Sequence, residues 1–292
     1  MTAIITPFNK KLEVDYEGLK SNIKFQIENG VSGMVPLGTT GESPTISDEE
    51  REKILATTIN AADGKVPVIA GVGTNSTSHT IEYARQAEDL GADALLVVSP
   101  YYNKPTQEGL YRHYEAVSKA VNIPIVVYNI QSRTGVNIET KTLARMAALP
   151  NMAAVKEASG SMQQISDVID SMPKEFTVLS GDDNMTLPLI SAGGSGVISV
   201  VSNLLPKRLS SMVGAALGGK MDEARAMQHE LLPIFKAAFI ETNPVPIKTA
   251  MSLCGMPSGG VRLPLCEMSS ENSKYLAKVI SRYMELKLII NG

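Results

Sequence analysis

Cysteine is scarce. Cys254 and Cys266 are the only two in 292 residues and form no C-x-x-C pair, which excludes a disulfide framework or thiolate zinc site and points to a reducing compartment. Histidine is nearly as rare: His79, His113 and His229 have no neighbour at metal-ligand spacing and read as surface residues. No G-x-S-x-G nucleophile elbow occurs, so a Ser-His-Asp hydrolase is disfavoured. No apolar run reaches the length of a bilayer span, and Met1 to Lys11 lacks a basic segment followed by a long apolar one, which leads us to expect a cytoplasmic protein with no membrane partner. Blocks of like charge are also missing, and the formal net charge is -3. A nucleic-acid partner is therefore disfavoured, and small neutral or anionic metabolites fit better.

What the chain does have is 43% hydrophobic residues with no composition shift that would mark a flexible boundary. Short apolar, β-rich runs recur at Ala3 to Ile5, Gly33 to Leu37, Val66 to Val72, Ala94 to Ser99, Ile123 to Tyr128, Ala153 to Lys156, Thr177 to Ser180 and Val197 to Val201. Their spacing of about 28 residues is that of a strand, a helix and two loops. Helix start signals lie between them: Asp15 before a run to Glu28, the capping box from Ser47 to Glu50, and starts near Ser78 and Thr106. Uninterrupted alternation implies parallel pairing with right-handed crossovers, and eight repeats close into a (β/α)8 barrel, here over residues 1–219. A doubly wound open sheet is the alternative.

Residues 220–292 read as a small C-terminal helical domain. Met221, Ala224, Met227, Leu231, Ile234, Phe235 and Ala238 recur at helical spacing with Pro233 expected to kink the helix, and further helices start at Asn243-Pro244 and Ser269. The methionines here are core filler.

In such a barrel, chemistry sits where strands finish. The run ending at Lys156 is followed at once by small residues, as when a buried strand hands one amine to a cavity. An amine there is poorly solvated, its ammonium form is disfavoured, and as a free base it can attack a carbonyl to form a Schiff base. Glu157 cannot act beside it, because successive strand residues point to opposite faces. After the second run, Gly38-Thr39-Thr40-Gly41-Glu42-Ser43 offers hydroxyls and backbone N–H groups as a seat for a small carboxylate. Ser99 to Pro105 carries Tyr101 and Tyr102, and the fifth run ends at Tyr128 with Arg133 close behind. Gly181, after the seventh run, would let a ligand approach the backbone closely. The Gly193 to Gly196 cluster precedes its strand and reads as a turn, not a phosphate cradle.

Taken together, Ile5-Thr-Pro-Phe, Gly38-Thr-Thr-Gly-Glu-Ser, Ser99-Pro-Tyr-Tyr-Asn-Lys-Pro, Tyr128-Asn, Ser132-Arg-Thr-Gly, Val155-Lys-Glu-Ala, Leu179-Ser-Gly-Asp-Asp, Gly196-Val-Ile-Ser and Asn243-Pro-Val-Pro-Ile-Lys resemble the dihydrodipicolinate synthase family of pyruvate-dependent Schiff-base lyases and aldolases. The resemblance runs nearly end to end. It implies a lyase that condenses pyruvate with L-aspartate 4-semialdehyde to give 4-hydroxy-tetrahydrodipicolinate, in diaminopimelate and lysine biosynthesis. Cleavage of a 2-keto-3-deoxy sugar acid is the alternative within the same superfamily.

By the resemblance, Lys156 forms the imine with pyruvate, Tyr128, Thr39 and Tyr102 form a proton relay, and Thr40 with the backbone at Ile198 holds the pyruvate end. Arg133 grips the carboxylate of the semialdehyde; Gly181, from its place after the seventh run, is counted with the substrate-binding residues. No cofactor or metal is implied beyond the covalent imine with substrate. Tyr102 would reach into the partner subunit's site, so the implied assembly is a homotetramer built as a dimer of dimers.

Two departures stand out. Gln131 occupies the place where relatives commonly have proline before Ser132-Arg133-Thr134-Gly135. At the lysine-feedback site Ser43, Asn75 and Tyr101 match, whereas Pro44, Asp48, Arg51 and His79 do not, His79 standing where lysine-sensitive relatives have a glutamate for the inhibitor's amine. Inhibition by L-lysine should therefore be weak or absent, and an initial-rate assay giving half-inhibition in the sub-millimolar range would refute this.

Overall fold

The computed structural model describes residues 1–286 and 288. They fall into two compact units, one of residues 1–68 with the chain from Ser199 onward, the other of Ile69–Ile198.

The first unit opens with β1 (Thr2–Ala3), paired in parallel with β2 (Met34–Val35). The Ala3 N–H donates to the Ser199 carbonyl at 2.8 Å and the Met34 N–H to that of Pro67 at 2.9 Å, so single bridges, Thr2 with Ser199 and Met34 with Val68, extend the pairing at each edge. Between β1 and β2 runs α1 (Tyr16–Glu28), whose cap Asp15 accepts from the Gly18 N–H at 2.9 Å. The expected capping box forms at the start of α2 (Asp48–Ala62): Ser47 Oγ accepts from the Glu50 N–H at 3.2 Å, and the Glu50 carboxylate accepts from the Ser47 N–H at 3.1 Å. Two donors that every helix start leaves orphaned are thereby satisfied.

The second unit is built on β3 (Ile69–Gly71), β4 (Ala94–Val98), β5 (Ile125–Asn129), β6 (Met152–Glu157) and β7 (Thr177–Ser180), hydrogen-bonded in sequence order and all parallel. β4 and β5, at the middle of the sheet, are nearly continuous Leu, Ile and Val because a parallel sheet is covered on both faces. The connections carry α3 (Thr77–Asp89), α4 (Gln107–Ser118), α5 (Gln131–Thr134), α6 (Thr140–Ala147), α7 (Met162–Ser171) and α8 (Thr186–Ser191), with Ser76, Thr106 and Ser161 capping α3, α4 and α7. Gly193 and Gly196, both at positive φ, turn the chain into the next bridge, Ser180 with Val197.

The eighth run is shorter than its sequence suggests. Only Val197 and Ser199 bridge, and a 3₁₀ turn follows at Val201–Asn203. Ser199 Oγ accepts from the Ser202 N–H at 2.9 Å and the Val200 carbonyl from the Asn203 N–H at 3.1 Å, so local polar bonds bend the run before it can extend. This order of parallel strands and helices is that of the (β/α)8 barrel with a C-terminal helical extension.

The extension follows α9 (Pro206–Leu217) and comprises α10 (Met221–Ala237), α11 (Val245–Leu253) and α12 (Ser270–Glu285). Pro233 does not end α10. Instead the Tyr283 hydroxyl of α12 enters the broken ladder, accepting from the Ile234 N–H at 3.3 Å and donating to the Glu230 carbonyl at 2.7 Å. An inserted polar group of this kind is a recognised way to accommodate a helix irregularity.

One expectation is corrected. His79 and His229 are exposed, but His113 is only 5% exposed. On α4 it shares a stripe with Leu110, Tyr114 and Val117, at the i, i+3, i+4, i+7 spacing of a core-facing surface. Its Nδ1 lies 2.9 Å from Thr77 Oγ1, and burial pushes its pKa down to about 4. Above the ordinary value of 6.5 the imidazole is neutral in both folded and unfolded chains; below it the unfolded chain gains a proton that the folded one resists until about 4. Its stabilising contribution is thus present near neutrality and lost as pH falls through this window, by about 3 kcal/mol. In His113→Leu, the loss of stability between neutral and acid denaturation curves should be smaller by about that amount.

Candidate active site

In the second unit the register of adjacent parallel strands sets Tyr128 of β5 beside Lys156 of β6 and Lys156 beside Leu179 of β7. Residues in register share a face. Lys156 Nζ stands 4.1 Å from the centroid of the Tyr128 ring, and the two residues are 5% and 4% exposed. The amine is thus packed against an aromatic face, a favourable position for a cation and for a phenol-bearing neighbour that can exchange protons with what the amine binds.

Glu157, one residue on, faces the other way. Its buried carboxylate accepts from Asn129 Nδ2 at 3.2 Å, from the Ser159 N–H at 2.6 Å and from Gln164 Nε2 at 3.3 Å, while Asn129 Oδ1 accepts from the Ile138 N–H at 3.0 Å. This polar network fixes the ends of β5 and β6 from behind, so the side chains on the opposite face are held by a satisfied framework.

Gly181, directly after β7, is closely packed: a Cβ at this position would stand 2.7 Å from Ala158 Cβ and 3.2 Å from both Cγ and Cε of Lys156. A side chain here would clash with Ala158 and crowd the lysine stem. Ile198 is fully buried, and its N–H is committed to the Ser180 carbonyl at 2.9 Å, so its carbonyl is the backbone group that can serve a ligand.

The segment from Ser99 to Pro105 leaves β4 with Ser99 bound through N–H and Oγ to the Tyr128 carbonyl at 3.1 and 3.2 Å. Tyr102 then adopts φ +73° with its side chain 88% exposed. A bulky residue in the left-handed region is strained, and such strain concentrates at functional positions. The stem of Lys104 lies against Gly135, where a Cβ would come within 2.8 Å of Cε. Gly135 ends the short helix α5 that carries the exposed Arg133, so the Tyr102 and Arg133 segments rest on one another. No cap or apolar period in the sequence marks Gln131–Thr134 as helical.

In the first unit Thr39–Gly41 is a 3₁₀ turn. The N–H groups of Gly41 and Glu42 bond back to the carbonyls of Gly38 and Thr39, both at 3.1 Å. As at any helix start, the first N–H groups, here those of Thr39 and Thr40, have no acceptor within the turn and suit an anion. Thr40 is buried, and its Oγ1 accepts from Asn243 Nδ2 at 3.0 Å.

Sequence reasoning missed what lies beneath this turn. Glu42, at φ +56°, sends Oε1 to Lys248 Nζ at 2.7 Å and Oε2 to the Arg262 N–H at 3.0 Å, with both partners of the ion pair 1% exposed. Burial lowers the Lys248 pKa to about 8 against the opposing pull of Glu42. The available signal was a lone lysine in the apolar run Val245 to Met251, which a buried helix face accepts only with an acidic partner. Among the described residues no group of three or more His, Cys, Asp and Glu side chains is placed to hold a metal ion.

Gly181→Ala is expected to displace Lys156 and slow capture of a small 2-keto acid about tenfold, measured as the rate of borohydride-reducible adduct formation. Known proteins resemble this chain over nearly its whole length. The 4-hydroxy-tetrahydrodipicolinate synthase of Methanocaldococcus jannaschii is 53% identical over 279 residues, 95% of this chain and 96% of its own. A crystal structure of dihydrodipicolinate synthase shares 52% identity with a TM-score of 0.95, covering 99% of this chain and 98% of that one. The chloride-inhibited dihydrodipicolinate synthase of Acinetobacter baumannii, solved with pyruvate, shares 38% identity with a TM-score of 0.94 and 96% of each chain covered. With the family model matched across residues 1–283, the chain belongs to the dihydrodipicolinate synthetase family.

Proposed function

We propose that this enzyme, a lyase, condenses pyruvate with L-aspartate 4-semialdehyde to give 4-hydroxy-tetrahydrodipicolinate, through an imine on Lys156. The observation that carries the reading is the buried amine of Lys156 packed 4.1 Å from the Tyr128 ring centroid at the ends of two adjacent strands. The relatives' shared name favours condensation over cleavage of a sugar acid.

In this reading Lys156 Nζ attacks the carbonyl carbon of pyruvate, and water leaves to form the imine. Loss of a methyl proton gives an enamine, whose carbon attacks the aldehyde of the second substrate. The amine of that substrate then adds to the imine carbon, closes the ring and releases Lys156. Each step moves a proton, and Tyr128, Thr39 and Tyr102 are the hydroxyls proposed to move it. The imine itself is the electron sink, so the mechanism calls on no metal or further cofactor.

Thr40 and its backbone neighbours, with the carbonyl of Ile198, take the pyruvate end, and Gly181 keeps space beside the lysine stem. Arg133 offers a planar fork to the semialdehyde carboxylate. The exposure and strain of Tyr102 suit a side chain that completes the relay of a partner subunit, in a homotetramer assembled as a dimer of dimers. Barrel residues 1–219 carry the chemistry, and residues 220–292 support it through Asn243 and Lys248. Weak lysine feedback is supported by Arg51, whose Nη2 donates to Ser43 Oγ at 2.8 Å and sets a cation beside a residue of the feedback site. The scarcity of cysteine supports placing the enzyme in the reducing cytoplasm; among the described residues no helix is long and apolar enough to cross a membrane.

A coupled assay with pyruvate and the semialdehyde tests the proposal, with 2-keto-3-deoxygluconate as the competing substrate. Borohydride with pyruvate should leave one reduced adduct per chain, on Lys156. Lys156→Ala should abolish the adduct and nearly all turnover, whereas Tyr128→Phe should keep the adduct and lower kcat by about a hundredfold. Full activity in either variant would contradict the roles assigned.

A further inference from the structure

We infer that Lys248, through Glu42, is a positioning residue for the Thr39–Thr40 turn and so sets affinity for pyruvate; this rests on the function proposed above. Three bonds converge on the turn. Lys248 Nζ donates to Glu42 Oε1 at 2.7 Å and to the Thr6 carbonyl at 3.0 Å, and Thr6 Oγ1 donates to the Gly41 carbonyl at 2.7 Å. One ammonium therefore holds the carboxylate of Glu42 directly and the carbonyl of Gly41 through Thr6. These are the residues that close the turn, since the Glu42 N–H returns to the Thr39 carbonyl at 3.1 Å.

The same stretch of chain holds the turn from its other side. Asn243, just ahead of α11, donates to Thr40 Oγ1, and Lys248 lies within α11. A ligand carboxylate placed on the first N–H groups of the turn depends on their direction, and errors well below 1 Å weaken such contacts.

A purely stabilising role is the competing explanation, and the energetics weigh against it. A buried ion pair seldom outperforms an apolar pair of the same volume, because desolvation offsets the attraction. The Phe8 ring lies 4.1 Å from Lys248 Nζ and 4.4 Å from the Arg262 guanidinium, so the surroundings could receive an apolar side chain. What an apolar pair could not supply is a fixed direction for Glu42, a non-glycine residue held at φ +56°.

The test uses the full chain with Lys248→Met and with the double variant Glu42→Gln, Lys248→Met, which removes both charges while keeping bulk. Three quantities are measured: the pyruvate concentration that half-saturates borohydride trapping, the KM of each substrate, and the melting temperature. Both variants should need about fivefold more pyruvate or higher, while the semialdehyde KM stays within about twofold and trapping at saturation still approaches one adduct per chain. A folded variant whose pyruvate dependence is within about twofold of the parent would overturn the role, as would equal rises in both KM values. If Lys248→Met fails to fold, the double variant decides; if that also fails, the pair is assigned to stability and the positioning role falls. A parent protein that gains no adduct removes the proposed function and this role with it, whereas a normal parent with unshifted variants removes this role alone.

Discussion

The constraint on which the rest depends is the burial of one amine. Lysine is among the side chains least often removed from water, and here it is enclosed at the end of a strand with an aromatic face as its neighbour. Strand register makes this possible, because pairing Tyr128 with Lys156 delivers both side chains to the same face without any contribution from a flexible loop. The neighbouring carboxylate, Glu157, is drawn to the reverse face and saturated by Asn129, Ser159 and Gln164. A strand end thus separates an amine from an acid by nothing more than its two-residue period.

A second buried lysine obeys the opposite logic. Lys248 keeps an acid partner, an acceptor carbonyl and a ring face, whereas Lys156 has a ring face and a glycine that leaves it room. Satisfied groups hold position; less constrained ones remain available for chemistry. The helical extension therefore does more than cover apolar surface, since α11 reaches the turn that carries Thr39 and Thr40.

Much of this was legible from sequence. Strands and helices announced themselves because the parallel strands are short apolar runs and because Asp15, Ser47, Thr106 and Ser269 each cap a helix as their chemistry predicts. Lys156 stood out by ending an apolar run, and Thr40 by its place in the hydroxyl- and glycine-rich stretch after another. His113 was misread because a polar residue was weighed alone, although Leu110, Tyr114 and Val117 place it on a core stripe. That Gly181 packs against Ala158 and the Lys156 stem is visible only in the coordinates. The Glu42 to Lys248 pair spans more than two hundred residues of chain and has no local pattern, and the positive φ of Tyr102 is set by its surroundings and not by its type.

The phenol that bridges the proline gap in α10 ties two distant helices into one mechanical piece. A chain cut short before position 283 would not merely lose a terminal rod. It would uncover a bare N–H and a bare C=O in the C-terminal half of α10, so damage at the very tail would be felt well inside the fold.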